Sequence, residues 1–266
     1  MSQANAPTQT SVHLTILTGA SRGMGLAMAR QLLDQGHHLL CLSRNENAEL
    51  TAHAQACNGT LIQWCVDLAD PARVRERLQN WLASQSTGHI ASATLINNAG
   101  VIPTVGPLGQ CPADELSNAL RVGVEAPMQL TAGFLAATQV WVNAAWSGAR
   151  KVLNISSGLG RRPMAAQAPY CAAKAGMDLF TRCCALEEAA KPNGAKLVSL
   201  APGVIDTDMQ IQLRGSDAAG FPDRQRFVDL KAHDQLTSPA DAARAVLGWL
   251  DRADFGEEPI ADVRDA

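Results

Sequence analysis

The chain has 266 residues, 47% hydrophobic and 18% charged, enough apolar material to bury a sizeable core, which excludes a disordered or collagen-like chain. Its 22 Lys and Arg against 25 Asp and Glu leave a net charge of −3 without long like-charge runs, so nucleic acid is not an expected partner. Seven cysteines, at Cys41, Cys57, Cys65, Cys111, Cys171, Cys183 and Cys184, are an odd number without CxxC pairing. They read as buried free thiols in a reducing compartment, and no metal site is expected. The opening MSQANAPTQTS has neither a basic n-region nor an apolar h-region, and no apolar run is long enough to span a bilayer. The expectation is a soluble cytoplasmic protein with no membrane partner, residues 1–11 forming a disordered tail before one domain over 12–266.

In chain order, apolar β-rich runs fall at 12–18 (VHLTILT), 38–43 (HLLCLS), 60–66 (TLIQWCV), 93–97 (ATLIN), 150–155 (RKVLNI) and 195–201 (AKLVSLA). Helices are predicted over 24–35, 46–56, 71–85, 112–146 as two, 168–190 and 239–251. Ser238-Pro239 supplies a cap and a first-turn proline for the last of them. Strand–helix alternation with near-continuous apolar strands predicts an α/β fold. It is a Rossmann-type doubly wound domain with about seven mostly parallel strands and helices on both faces. Residues 203–236 break the rhythm with a polar, glycine-containing stretch carrying Met209, Leu213, Phe221 and Phe227. An insert of that length is usually a lid or substrate loop, the alternative being an excursion with a short helix.

TGASRGMG follows the first strand and places Gly19, Gly23 and Gly25 on a strand-to-helix turn, with Ser21, Arg22 and Met24 between them. Such a turn needs positive φ or close backbone approach, and the helix N-terminus behind it offers free N–H groups to a pyrophosphate. The spacing is G-x-x-x-G-x-G, not the commoner G-x-G-x-x-G. The second strand ends at Ser43-Arg44, where an NAD site would carry an acidic residue for the ribose 2′-hydroxyl. Arg44, with Arg22 from the glycine turn, suits a 2′-phosphate instead and favours NADPH over NADH, although both arginines also fit a solvated surface. Asp67, followed by Leu68, closes the third strand and suits an adenine amino group or a helix cap. Asn98, Ala99 and Gly100 end the fourth strand at the same edge.

Tyr170 is the only tyrosine, and Lys174 stands four residues on, one helical turn away on the same face. An ammonium beside a phenol pulls its pKa from about 10 toward the working range. A bare Y-x-x-x-K also describes a core tyrosine beside an exposed lysine. Ser157, thirteen residues before Tyr170 at the end of the fifth strand, brings a third polar group to the crevice edge of a parallel sheet.

Taken together, TGASRGMG, NNAG, S-x12-Y-x3-K and APG at 201–203 resemble the short-chain dehydrogenase/reductase family over nearly the full chain. The resemblance implies that Ser157 polarises a substrate carbonyl, that Tyr170 donates the proton, and that Lys174 binds the nicotinamide ribose while lowering the tyrosine pKa. It also implies that Pro202, Gly203, Val204 and Thr207 frame the nicotinamide of NADP(H). Within the family, APGVIDTDMQ and EPIADVRD look like the sepiapterin reductase and benzil reductase subgroup. That implies a small-molecule vicinal dicarbonyl or aromatic carbonyl substrate, with Leu159, Met209 and Asp262 beside it. One departure stands out, because the family's fourth catalytic residue, an asparagine holding a relay water, aligns with Gly123. The expected function is therefore an NADPH-dependent carbonyl reductase. Two other readings fit the same residues: a dinucleotide-binding regulatory protein with weak turnover, and an alcohol dehydrogenase working in the oxidative direction. Apolar residues on two faces of 168–190, among them Leu179 and Leu186, predict a homodimer through a four-helix interface.

Overall fold

Each predicted apolar run becomes a strand of one sheet in the computed structural model, which describes residues 11–265. The expected tail at 1–11 lies outside the described residues except for Ser11. The strands are β1 (Val12–Thr18), β2 (His38–Ser43), β3 (Leu61–Cys65), β4 (Ile90–Asn97), β5 (Ala149–Ile155), β6 (Lys196–Ala201) and β7 (Ile260–Asp262). They lie in the order β3-β2-β1-β4-β5-β6-β7, every neighbouring pair parallel. The order reverses direction between β1 and β4, which opens a crevice above their carboxyl ends.

Alternate residues of each strand enter two separate cores, which is why the runs read as continuously apolar rather than alternating. Leu17, Cys41 and Val198 pack with Met28 and Leu32 of α1 (Gly23–Asp34), Leu50 of α2 (Ala48–Ala56) and Val246 and Leu247 of α9 (Pro239–Leu250). Ile16, Leu40, Leu95 and Val152 face the other way. They meet Leu78 of α3 (Pro71–Ala83), Leu130 and Phe134 of α5 (Ala126–Asn143), and Cys184 and Ala185 of α6 (Ala168–Ala189). Local signals set the ends: Asn47 accepts from Leu50 N at 2.8 Å to cap α2, and Ser238 accepts from Asp241 N at 3.1 Å to cap α9 ahead of Pro239.

The predicted helix pair over 112–146 is a continuous rod in which α4 (Ala113–Leu120) passes into α5 through a π-helical turn, Arg121–Glu125. The 203–236 stretch, expected as a lid or substrate loop or else an excursion with a short helix, carries two helices. It folds into α7 (Asp208–Gly215) and α8 (Arg224–Ala232), seated on a third small core of Leu213, Phe221 and Phe227. β7 was not among the predicted runs. The cysteine expectation needs correction: Cys41 is buried, but Cys65 on the edge strand β3 and Cys183 on α6 are exposed and the other four are half-buried. All seven are free thiols. Among the described residues no helix is long and apolar enough to cross a membrane.

Candidate active site

A cleft of about 700 Å³ runs along the carboxyl edge of the sheet, from Arg44 and Asp67 at one end to Phe227 and Leu230 at the other. Its floor at the crevice is the glycine turn. Gly19 and Gly23 have φ of +71° and +55°, which side-chain-bearing residues rarely adopt. At Gly25 the constraint is space: a Cβ there would lie 2.1 Å from Gly19 O and 2.5 Å from Asn98 Nδ2. Asn98 explains the tightness, since its Nδ2 donates to Thr18 O at 3.0 Å and Gly19 O at 3.2 Å. In return, Thr18 Oγ1 accepts from the N–H groups of Asn98 and Ala99 at 2.9 and 3.0 Å. The end of β4 thereby clamps the turn and leaves the N-terminus of α1 open beside it. Such a cradle of bare backbone fits the pyrophosphate of a dinucleotide.

At the end where the ribose 2′ position would sit, Ser43 Oγ accepts from Ala20 N at 3.0 Å and ties β2 to the turn. Arg44 is exposed and lines the cleft without an ion-pair partner among the described residues. Arg22, expected to act with it, lines the cleft too but forms an exposed ion pair with Asp208 of α7. Asp67 and Leu68 line the cleft at this end, and the Asp67 carboxylate also accepts from Ala69 N at 2.9 Å in a local turn; it is not the cap of α3, whose N-cap position is Asp70.

The polar triad converges as the spacing suggested. Ser157 follows β5, and its Oγ accepts from Leu159 N at 3.1 Å. Tyr170 sits in the first turn of α6 and Lys174 one turn on, its Nζ 5.7 Å from the phenol ring centre and donating to Ile155 O at 2.7 Å. All three line the cleft. Burial pushes the Tyr170 phenol up to about 12, with a hydrogen bond from Ser157 acting against it. Desolvation lowers Lys174 to about 8, while the Asp178 carboxylate one turn further along α6 acts to keep it charged.

Gly123, at the position the resemblance gives to asparagine, lies buried in the π-helical turn, where a Cβ would stand 2.8 Å from the Ala173 Cβ. Its neighbour Val122 lines the cleft. Around the nicotinamide end, Pro202, Gly203 with φ of +82°, Val204 and Thr207 line the wall, as do Leu159 and Met209 further out. Asp262 also lines the cleft, but its carboxylate is taken up by Arg264, accepting from N and Nε at 3.0 and 2.7 Å.

Sequence spacing did not point to Asp178, Gln167, Gln210 or Arg226. Asp178 is buried and accepts from Ser156 Oγ at 2.5 Å, Ser199 Oγ at 2.7 Å and Arg161 Nε at 3.1 Å. Gln167, Gln210 and Arg226 line the cleft. Apart from it, Asp34, His53 and Cys57 bring three potential metal-ligand atoms within 4.8 Å of one another, and none of the three lines the cleft.

An open parallel sheet with a glycine-lined crevice at its switch point, and Ser, Tyr and Lys gathered at the same edge, defines an α/β oxidoreductase fold. The short chain dehydrogenase family profile matches residues 13–218. A benzil reductase, (S)-benzoin forming, from Bacillus cereus is 35% identical over 245 residues, covering 92% of this chain and 96% of that one. A sepiapterin reductase from Meriones unguiculatus is 30% identical over 259 residues, covering 94% and 95%. Among solved structures, the KRED1-Pglu enzyme superposes with a TM-score of 0.74 at 26% identity, over 92% of this chain and 98% of that one. The chain belongs to the short-chain dehydrogenase/reductase family.

Proposed function

We propose that this protein is an NADPH-dependent reductase of ketones, vicinal diketones foremost. The observation that carries the proposal is the meeting of Ser157, Tyr170 and Lys174 with the glycine turn in one cleft. Bound along that cleft, NADPH supplies the hydride that reduces the carbonyl carbon. Ser157 Oγ holds the carbonyl oxygen and orients it toward Tyr170, whose hydroxyl proton passes to that oxygen as charge develops on it. Lys174 binds the nicotinamide ribose with its ammonium. Gly19, Ser21, Gly23, Met24 and Gly25 hold the pyrophosphate, and Arg44 with Arg22 faces the 2′-phosphate. Asn98, Ala99 and Gly100 support the cofactor from the end of β4, and Pro202, Gly203, Val204 and Thr207 border the nicotinamide.

The reductive direction rests on the benzil reductase and sepiapterin reductase relatives, since the same Tyr170 hydroxyl gives its proton in reduction and takes one back in oxidation. The substrate class rests on the benzil reductase relatives, at 35% and 32% identity. The proposal includes a cytoplasmic location, which the seven free cysteines support. It also includes a homodimer through α5 and α6, whose outer faces expose Met128, Leu179 and Leu186.

The test is NADPH oxidation with benzil by the wild-type protein and by Tyr170→Phe, which removes one hydroxyl. Turnover should fall by a factor of ~10² or more while NADPH binding, followed by cofactor fluorescence, persists. Near-native turnover in the variant overturns the acid role. NADPH binding without reduction of any ketone in a panel of diketones and aryl ketones favours the regulatory reading instead.

A further inference from the structure

We infer that Gln167 is the residue that selects vicinal dicarbonyls, its side-chain amide donating a hydrogen bond to the carbonyl that is not being reduced. This deepens the function proposed above and rests on it. Gln167 immediately precedes α6, three residues before Tyr170, and both line the cleft. It is only 2% exposed, yet neither Nε2 nor Oε1 has a hydrogen-bond partner. Whichever way the amide is turned, a buried donor is left unpaired, an arrangement that native proteins rarely keep without a reason.

The backbone leading into it is strained as well. Gln167 N closes a four-residue turn by donating to Met164 O at 3.3 Å, and the third residue of that turn, Ala166, has φ of +64°. Turns of that shape ordinarily place glycine or asparagine there. An alanine held in this conformation beside an unpaired amide, one helical turn from the acid residue, is the kind of local strain that accompanies ligand sites.

The chemistry narrows the ligand. A diketone offers acceptors only, so its second oxygen needs a donor. Among the described residues six buried side-chain atoms lack partners, and those lining the cleft belong to Gln167 and Gln210. Gln210 contributes a single orphan amide atom, so Gln167 is the residue on the cleft whose amide leaves a buried donor unpaired in either orientation. The same lining carries Leu159, Met164, Met209 and Phe227, which suit the hydrocarbon part of an aryl diketone, along with the guanidinium groups of Arg162 and Arg226.

The experiment compares benzil with deoxybenzoin, which keeps the two phenyl groups and one carbonyl but has a methylene in place of the second. For each ketone kcat/KM is measured in wild type and in Gln167→Leu, and the variant-to-wild-type ratio is taken so that intrinsic ketone reactivity cancels. Benzil should lose about tenfold and deoxybenzoin should stay within about twofold. The Gln167→Leu melting temperature should equal or exceed that of wild type, since an unpaired amide has been removed. Gln167→Met serves if the leucine variant does not fold. An equal loss for both ketones, or none for either, overturns the role of Gln167 and leaves the reductase reading standing. If wild type oxidises NADPH with neither ketone, both readings fall together.

Discussion

Gly123→Ala adds one methyl group at the best-defined point of contact between the π-helical turn and α6. The added Cβ would stand 2.8 Å from Ala173 Cβ, against about 3.5–4.0 Å for an ordinary carbon–carbon contact, so the two segments must part by roughly 1 Å. Overpacking of that kind costs about 1–3 kcal/mol. Helix propensity acts the other way, because replacing an interior glycine with alanine gains about 1 kcal/mol. The sign of the outcome therefore decides the matter. A clash predicts a net loss of about 1 kcal/mol and a melting temperature lower by roughly 2–4 °C, whereas free space predicts a gain. Urea unfolding followed by tryptophan fluorescence gives the stability, and Ala173→Gly supplies the control. The double variant should recover at least about 1 kcal/mol relative to the sum of the two single changes. A Gly123→Ala protein more stable than wild type, with no coupling to Ala173, would refute the steric argument. The result bears on chemistry too. Gly123→Asn, the substitution that restores the family's asparagine, meets the same Ala173, so any change in turnover it produces is interpretable only with Ala173→Gly beside it.

Arg44→Asp should weaken NADPH far more than NADH, while Asp208→Asn, by releasing Arg22 from its ion pair, should tighten NADPH; titrations that leave the NADPH-to-NADH ratio unchanged in both variants would contradict the 2′-phosphate assignment. His37 should set part of the acid limit of stability. Burial and the neighbouring His13 hold its pKa down at about 4, while Thr15 and His37 share a hydrogen bond of 2.8 Å. Between its ordinary value of 6.5 and about 4 the unfolded chain takes up a proton that the folded chain refuses, so stability falls as pH drops through that window. His37→Gln should flatten the pH dependence of the urea midpoint between pH values of about 7 and 5, and identical slopes in the two proteins would count against it. Leu186, 75% exposed on α6, should anchor the homodimer, so Leu186→Glu should yield monomers in a sedimentation concentration series; a wild-type protein that is monomeric at micromolar concentration removes that part of the proposal.

The sheet was legible because six of its strands are apolar runs of five or more residues, and two-sided burial writes itself into sequence as unbroken hydrophobicity. β7 was not, since it has three residues and pairs with β6 over Ser199–Ala201 alone. α8 was hidden for another reason: in RQRFVDLKA only Phe227 is buried, so the helix carries too little apolar periodicity to announce itself. At the site, Ser157, Tyr170 and Lys174 could be read because strand ends and helical turns convert linear spacing into proximity. Pairings between distant segments leave no such trace. The Arg22–Asp208 contact joins residues 186 apart.

Asp178 shows how much of an active site escapes a motif. Its carboxylate accepts from Ser156 next to Ser157, from Ser199 in β6 and from Arg161, which in turn donates to Ala261 O in β7 at 2.8 Å. One buried charge thus fastens the carboxyl ends of three strands to the helix that carries Tyr170 and Lys174. The same charge opposes the desolvation that draws Lys174 down to about 8. Without a carboxylate there, burial alone would draw Lys174 further toward the neutral amine. The two Asp178 oxygens meet two hydroxyl groups and a guanidinium, which replace the water the carboxylate gave up on burial. Asp178 thus braces the helix that carries Lys174 and acts on its charge from outside the cleft, and only the folded chain brings it there.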